Sequence, residues 1–198
     1  MFDMYWGHPD TSIHFCEDKY VINSMIAEYY NTLSSLCYIL VGSLFIKTKL
    51  GWSVISTGIG SVLLHGTLRF YGQWLDEMSM IITSMLSIQY FKKDLIEEYH
   101  FPIILIFYIL IYKISLFFCI LFIIVNIYIG YLFWISYKKY GSIYNIFVAG
   151  GSICWLLDKV FCEYVKPYHL HAWWHVLTSI ALYIKLKVYK QGMIKCVE

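Results

Sequence analysis

Two histidines stand four apart in "HLHAWWHVLTS", residues 169–179, inside a run apolar enough to be a membrane helix. That spacing puts His171 and His175 on one helical face. A third histidine, His65, lies in "GSVLLHGTLRF", and Ser61 shares its face four residues earlier. Asp76 and Glu77 fall in "GQWLDEMSM". Ionisable groups inside membrane helices usually face the protein interior and mark function. Three neutral imidazoles with one open position are the ligand pattern of catalytic zinc, whereas a structural site closes all four positions. "HAWWH" lacks the glutamate of the HExxH metalloproteases. An acid or base must therefore come from another helix, and Asp76 is the nearest candidate. Plainer readings stand beside these. The histidine pair could hydrogen-bond across helices, with one ring at the interface. A carboxylate is favoured at a helix N-terminus, and Ser61, near Gly58 and Gly60, is the kind of small residue that packs helices. We assign Glu77 to the helix dipole and Asp76 to chemistry.

The elements that must position these residues are membrane helices. The chain has 198 residues, 60% hydrophobic and 14% charged, with a mean hydropathy of +0.62. A soluble domain carries roughly a quarter of its residues as charges. The apolar blocks match the ~20 residues that a bilayer core requires. Five spans read directly, at about 27–46, 51–70, 74–91, 142–162 and 170–188. The block 101–137 holds one charge, Lys113, and as a single helix would rise ~55 Å, too far for one crossing. Split at Lys113, it supplies a short span over 98–112 and a full one after it. The expected fold class is all-α: a polytopic membrane protein with seven transmembrane helices and a zinc site in the bundle.

Seven spans put ten of the fifteen basic residues on one side, including Lys47, Lys92, Lys138 and Lys185. That side is cytoplasmic by the positive-inside rule and holds the C-terminus. His65 then lies in the last third of span two, Asp76 in the first turn of span three, and His171 and His175 in the first two turns of span seven. All four fall at similar depth on the non-cytoplasmic side. We divide the chain into a non-cytoplasmic segment (1–26), a seven-helix catalytic domain (27–190) and a cytoplasmic tail (191–198). The first segment has no basic n-region and no apolar core, so it is not a cleavable signal peptide. A net charge of +2 with scattered lysines points to no nucleic acid.

Four blocks, in order, carry a family resemblance: "YWGHPDTSIHFCEDKYVINSMIAEYYNTLS", "GSVLLHGTLRFYGQWLDEMSM", "WLLDKVFCEY" and "HAWWHVLTS". Together they resemble the alkaline ceramidases, seven-span zinc amidases of the superfamily that includes the adiponectin and progestin receptors. Residues 92–140 match only in hydropathy. The resemblance implies zinc on His65, His171 and His175, with Ser61 and Asp76 as catalytic neighbours. It implies hydrolysis of the amide bond of ceramide to a sphingoid base and a fatty acid. The partners implied are ceramide or a related sphingolipid and membrane lipids, with no protein partner, in an ER or Golgi membrane if the host is eukaryotic. It also pairs Cys16 with Cys162, which the topology above places where disulfides persist. Cys37, Cys119 and Cys154 read as packing residues and Cys196 as a thiol in the tail.

The family also binds calcium through its N-terminal block, at positions that are His14, Phe15, Glu17, Lys19 and Glu28 here. An acidic ligand has become His14, and an asparagine has become Lys19. Calcium takes six to eight oxygens, so losing two and gaining an ammonium argues against it. We expect Lys19 to stand in the cation's place and pair with Glu17 and Glu28. The alternative is that Lys19 points to solvent and calcium binds weakly. Two other function classes compete. A superfamily receptor or lipid-binding protein with a structural metal would predict a long cytoplasmic N-terminal domain. A haem carrier on two of the histidines leaves the third, Asp76 and Ser61 unexplained.

Overall fold

The computed structural model describes residues 5–97, 99–111 and 115–195. Among them the chain is all-helical, with no strand: α1 (Tyr29–Ser43), α2 (Lys49–Thr67), α3 (Phe70–Phe91), α4 (His100–Ile111), α5 (Ser115–Ser136), α6 (Lys138–Val160), α7 (Cys162–Val165) and α8 (Leu170–Lys195). A 3-10 turn over Lys166–Tyr168 joins the last two. The division between two spans expected at Lys113 lies outside the described residues, as does Cys196.

Local chemistry sets the helix ends. Thr48 Oγ1 accepts from the Gly51 N–H at 2.9 Å and caps α2. Leu68 takes a left-handed conformation (φ 54°) after α2, and its N–H closes on the Leu64 carbonyl at 2.7 Å. Asp10 then accepts from the Phe70 N–H at 2.5 Å and starts α3. That start lies one turn ahead of the expected one. Asp76 and Glu77 therefore sit in the second turn of α3, not the first. The dipole effect fades within the first turn, so Glu77 does not serve it. Glu77 instead accepts from Tyr108 of α4 and, at 3.2 Å, from Gln73 Nε2. A second correction concerns Lys185, expected at a cytoplasmic helix end but 4% exposed within the bundle. Helix α8 also continues through residues 191–195.

Helix packing closes a ring. Contacts run α1 to α2, α2 to α3, α3 to α5, α5 to α6, α6 to α8 and α8 back to α1, while α4 leans on α3 and α5. Small apolar clusters stitch the seams. Tyr38, Phe45, Leu50, Val54 and Leu186 join α1, α2 and α8. Phe133, Tyr144, Ala181 and Val188 join α5, α6 and α8. The seam between α2 and α3 is closest: a Cβ at Gly60 would strike the backbone of Leu75 and Asp76, and one at Gly72 would strike that of Leu63 and Leu64.

Polarity is distributed inside out. Glu28, Asn31, Ser61, His65 and Gln73 are buried, whereas Ile106, Leu110, Ile124 and Ile127 face outward. Exposed apolar surface on this scale needs a nonaqueous partner. Among the described residues, Phe118–Ser136 and Lys138–Val160 are long and apolar enough to cross a membrane, and His100–Leu110 is apolar but shorter. Both properties are those of a membrane protein.

Candidate active site

The ring encloses a cavity of about 680 Å³ lined mostly by apolar side chains. At one end α2 and α8 bring three imidazoles together. His65 lies in the last turn of α2, and His171 and His175 lie in the first two turns of α8. One nitrogen from each lies within 4.8 Å of the others, and all three rings are buried. Ring centroids are 5.0 Å apart from His65 to either partner and 4.6 Å between His171 and His175.

Groups behind the rings fix which nitrogens face inward. His65 Nδ1 lies 2.6 Å from Glu28 Oε2. His175 Nδ1 lies 2.8 Å from Ser34 Oγ and 3.4 Å from Ser35 Oγ. Both rings are thereby left with Nε2 for a ligand, the device by which metal-binding histidines are usually oriented. His171 Nδ1 is buried without a hydrogen-bond partner, which is costly unless something else is bound there. Three such imidazoles suit zinc or a similar borderline metal. The Phe15 ring covers the cluster, 4.6 Å from His65 and 4.1 Å from His171.

Ser61, Asp76, His171 and His175 line the cavity together. Ser61 is one helical turn before His65, and its Oγ lies 2.9 Å from Ser35 Oγ. Ser35 in turn donates to the Asn31 carbonyl at 2.7 Å, which leaves Ser61 as donor to the Ser35 oxygen or to a ligand. Asp76 reaches the cavity because Gly60 lets the α3 backbone press against α2.

The N-terminal segment wraps this end. Lys19 Nζ donates to the Phe15 carbonyl at 2.8 Å, to the Glu17 carbonyl at 2.7 Å and to the Glu28 carboxylate. It meets the backbone of Glu17, not its carboxylate. That carboxylate instead accepts from the Tyr30 and Asn31 N–H groups at 2.7 and 2.9 Å, capping α1. Burial raises the Glu17 pKa from its ordinary value, and these two N–H groups oppose the shift. The His14 side chain is exposed, and its carbonyl accepts from Lys159. Cys16 and Cys162 form a disulfide with their Cα atoms 5.3 Å apart. Asp158 accepts from the Cys16 N–H at 3.2 Å beside it. Cys37, Cys119 and Cys154 are half-buried free thiols.

Some contacts at the site escaped the sequence reading. Glu28 was visible only as a calcium position, yet it holds His65. Ser34 and Ser35 carried a usable signal: with Asn31 and Tyr38 they recur at helical spacing along one polar stripe. Lys185, in "IALYIKL", was visible as a charge inside an apolar run. It lines the same cavity, farther along α8.

The family model described as Ceramidase matches residues 7–195. The chain is 26% identical over 227 residues to alkaline ceramidase 3 of Mus musculus, covering 92% of this chain and 84% of that protein. It is 26% identical to an alkaline ceramidase of Arabidopsis thaliana, with 90% and 82% covered. To an alkaline ceramidase of Drosophila melanogaster it is 24% identical, with 96% and 81% covered.

Proposed function

The chain belongs to the ceramidase family, and from that premise we propose that it hydrolyses the amide bond of ceramide within the membrane, releasing a sphingoid base and a fatty acid. The observation that carries this reading is the buried histidine cluster at one end of an apolar cavity also lined by Asp76 and Ser61. An apolar wall suits acyl and sphingoid chains entering from the bilayer. Zinc is the proposed ion, with His65, His171 and His175 as its holders. When bound, such an ion polarises the amide carbonyl and lowers the pKa of water to about 7.

The chain's own residues do the rest. Glu28 and Ser34 keep the His65 and His175 rings in the orientation that leaves Nε2 free. Phe15 closes the cluster from above, shielding it from bulk water. Asp76 is the proposed general base, taking a proton from the attacking water on its carboxylate and delivering it to the departing amine nitrogen. Ser61 Oγ donates to the carbonyl oxygen as negative charge grows there. Lys19 is proposed to replace calcium, supplying from within the chain the positive charge that steadies Glu28.

The proposed topology has seven spans, with α1–α6 and α8 as the crossings, the N-terminal segment on the non-cytoplasmic face and the C-terminus in the cytoplasm. An ER or Golgi membrane is the proposed site in a eukaryotic host. The deciding experiment is lipid mass spectrometry with metal analysis on purified protein, wild type against His171→Ala. We expect about one zinc per chain and ceramide turnover, both lost in the variant. Equal turnover by the two proteins would remove this mechanism.

A further inference from the structure

Lys185 lies ten residues beyond His175 on α8, is 4% exposed, and lines the same cavity as the histidines. Its Nζ donates to Ser87 Oγ of α3 at 2.8 Å and stands 5.7 Å over the Tyr144 ring of α6. Among the described residues no carboxylate forms an ion pair with it. An ammonium has three donors, and one hydroxyl and a ring face compensate for only part of the water it has lost. A cation so lightly matched is strongly unfavourable in a buried site, and an acceptor or anionic ligand would relieve it. Within a membrane bundle such a group marks a ligand or a pathway.

Position says what that ligand is. Ten residues of α8 rise ~15 Å, so the ammonium and the histidine cluster bound the stretch of α8 that faces the cavity. At the ~1.2 Å per bond of an extended chain, that span holds roughly twelve bonds. The wall between is mostly apolar, with Ala181 and Leu182 facing the space.

We infer that Lys185 is a specificity-determining residue, a distal site that takes an anionic or oxygen-bearing terminus of an apolar chain whose amide lies at the histidines. The inference rests on reading the cavity as the lipid site. A plain methyl end reaching Lys185 would offer the ammonium no acceptor. A terminal carboxylate accepts a charge-assisted hydrogen bond in its place, and a shorter chain leaves the ammonium untouched.

Binding of dodecanoate and dodecanedioate to detergent-solubilised protein tests this without any turnover. Wild type should bind the dicarboxylate about tenfold more tightly than the monocarboxylate, the ratio expected of one charge-assisted bond. Lys185→Met should bring the two affinities together, and Lys185→Arg should keep them apart, which separates charge from folding. Equal affinities in wild type, or a preference that survives Lys185→Met, would overturn the distal site. Ceramide turnover by the same wild-type preparation is a separate readout. If turnover is present while the preference is missing, the distal site alone fails; if turnover is missing, the hydrolase reading fails.

Discussion

His65 is held from behind by a carboxylate that is itself held by an ammonium. Glu28 is fully buried, 2.6 Å from His65 Nδ1 through Oε2 and paired with Lys19 through Oε1. Asn31 Nδ2 donates to the same Oε2 at 3.0 Å. Removing the ammonium leaves a buried carboxylate short of a partner and free to pull the ring out of line. Groups that orient metal-binding histidines typically contribute 10–100-fold to affinity. Lys19→Met should therefore weaken binding of the proposed metal at the histidines by about that factor, measured by zinc titration against a competing chelator. Wild-type activity should be indifferent to a calcium-selective chelator. Activity lost with that chelator and restored by calcium would defeat the substitution of Lys19 for the metal. Asp76 makes a second prediction. Asp76→Asn keeps the shape but cannot accept the proton, so kcat should fall by roughly 10²–10⁴. Binding of a non-hydrolysable ceramide analogue should persist, and loss of both together would make Asp76 structural.

At the scale of elements, the site depends on how closely α2 and α3 approach. Gly60 and Gly72 remove side chains where each helix meets the other's backbone, and that contact carries Asp76 to the cavity wall beside Ser61. Gly60→Val would force the pair apart and cost about 1–3 kcal/mol as overpacking. Gly150 in α6 is the control, because a Cβ there meets only Leu177 Cδ1 at 3.6 Å. Gly150→Ala should be neutral or raise stability by up to ~1 kcal/mol through helix propensity. Thermal unfolding in detergent micelles reads both. A Gly60→Val protein as stable as wild type would show that the seam can relax. Two devices tie the N-terminal segment to the bundle at this same end. The disulfide links Cys16 to Cys162 after α6, and Asp10 starts α3 while pairing with Arg69 at 2.9 Å.

The whole molecule presents apolar side chains outward and polar ones inward. Exposed aromatics flank the histidine end, including Trp6, Tyr164, Tyr168 and Trp173, and others, including Trp52, Trp134 and Tyr140, lie toward the opposite helix ends, as expected of two interfacial belts. The proposed topology sends Asp18 and Lys93 to opposite faces. In reconstituted vesicles lacking other reactive thiols, Asp18→Cys and Lys93→Cys should each react with an impermeant maleimide from one side only, and from different sides. Labelling of both from the same side would remove the odd number of crossings between them.

The sequence by itself determined the all-helical class and the family. Apolar blocks of fixed length leave the backbone no option in lipid but to satisfy itself within helices, and ordered motif blocks survive at about a quarter identity. Helix starts were less legible. The start of α3 moved because Asp10, sixty residues away, accepts from its first N–H, and that shift took Glu77 out of the first turn and gave it to Tyr108. The tertiary structure alone decided that three imidazoles from two helices lie within 4.8 Å, that Glu28 stands behind His65, and that Lys185 faces the cavity instead of the cytoplasm. Contacts of this kind join residues dozens to more than a hundred positions apart. Periodicity along one helix says which face a side chain occupies, but only packing says what that face meets.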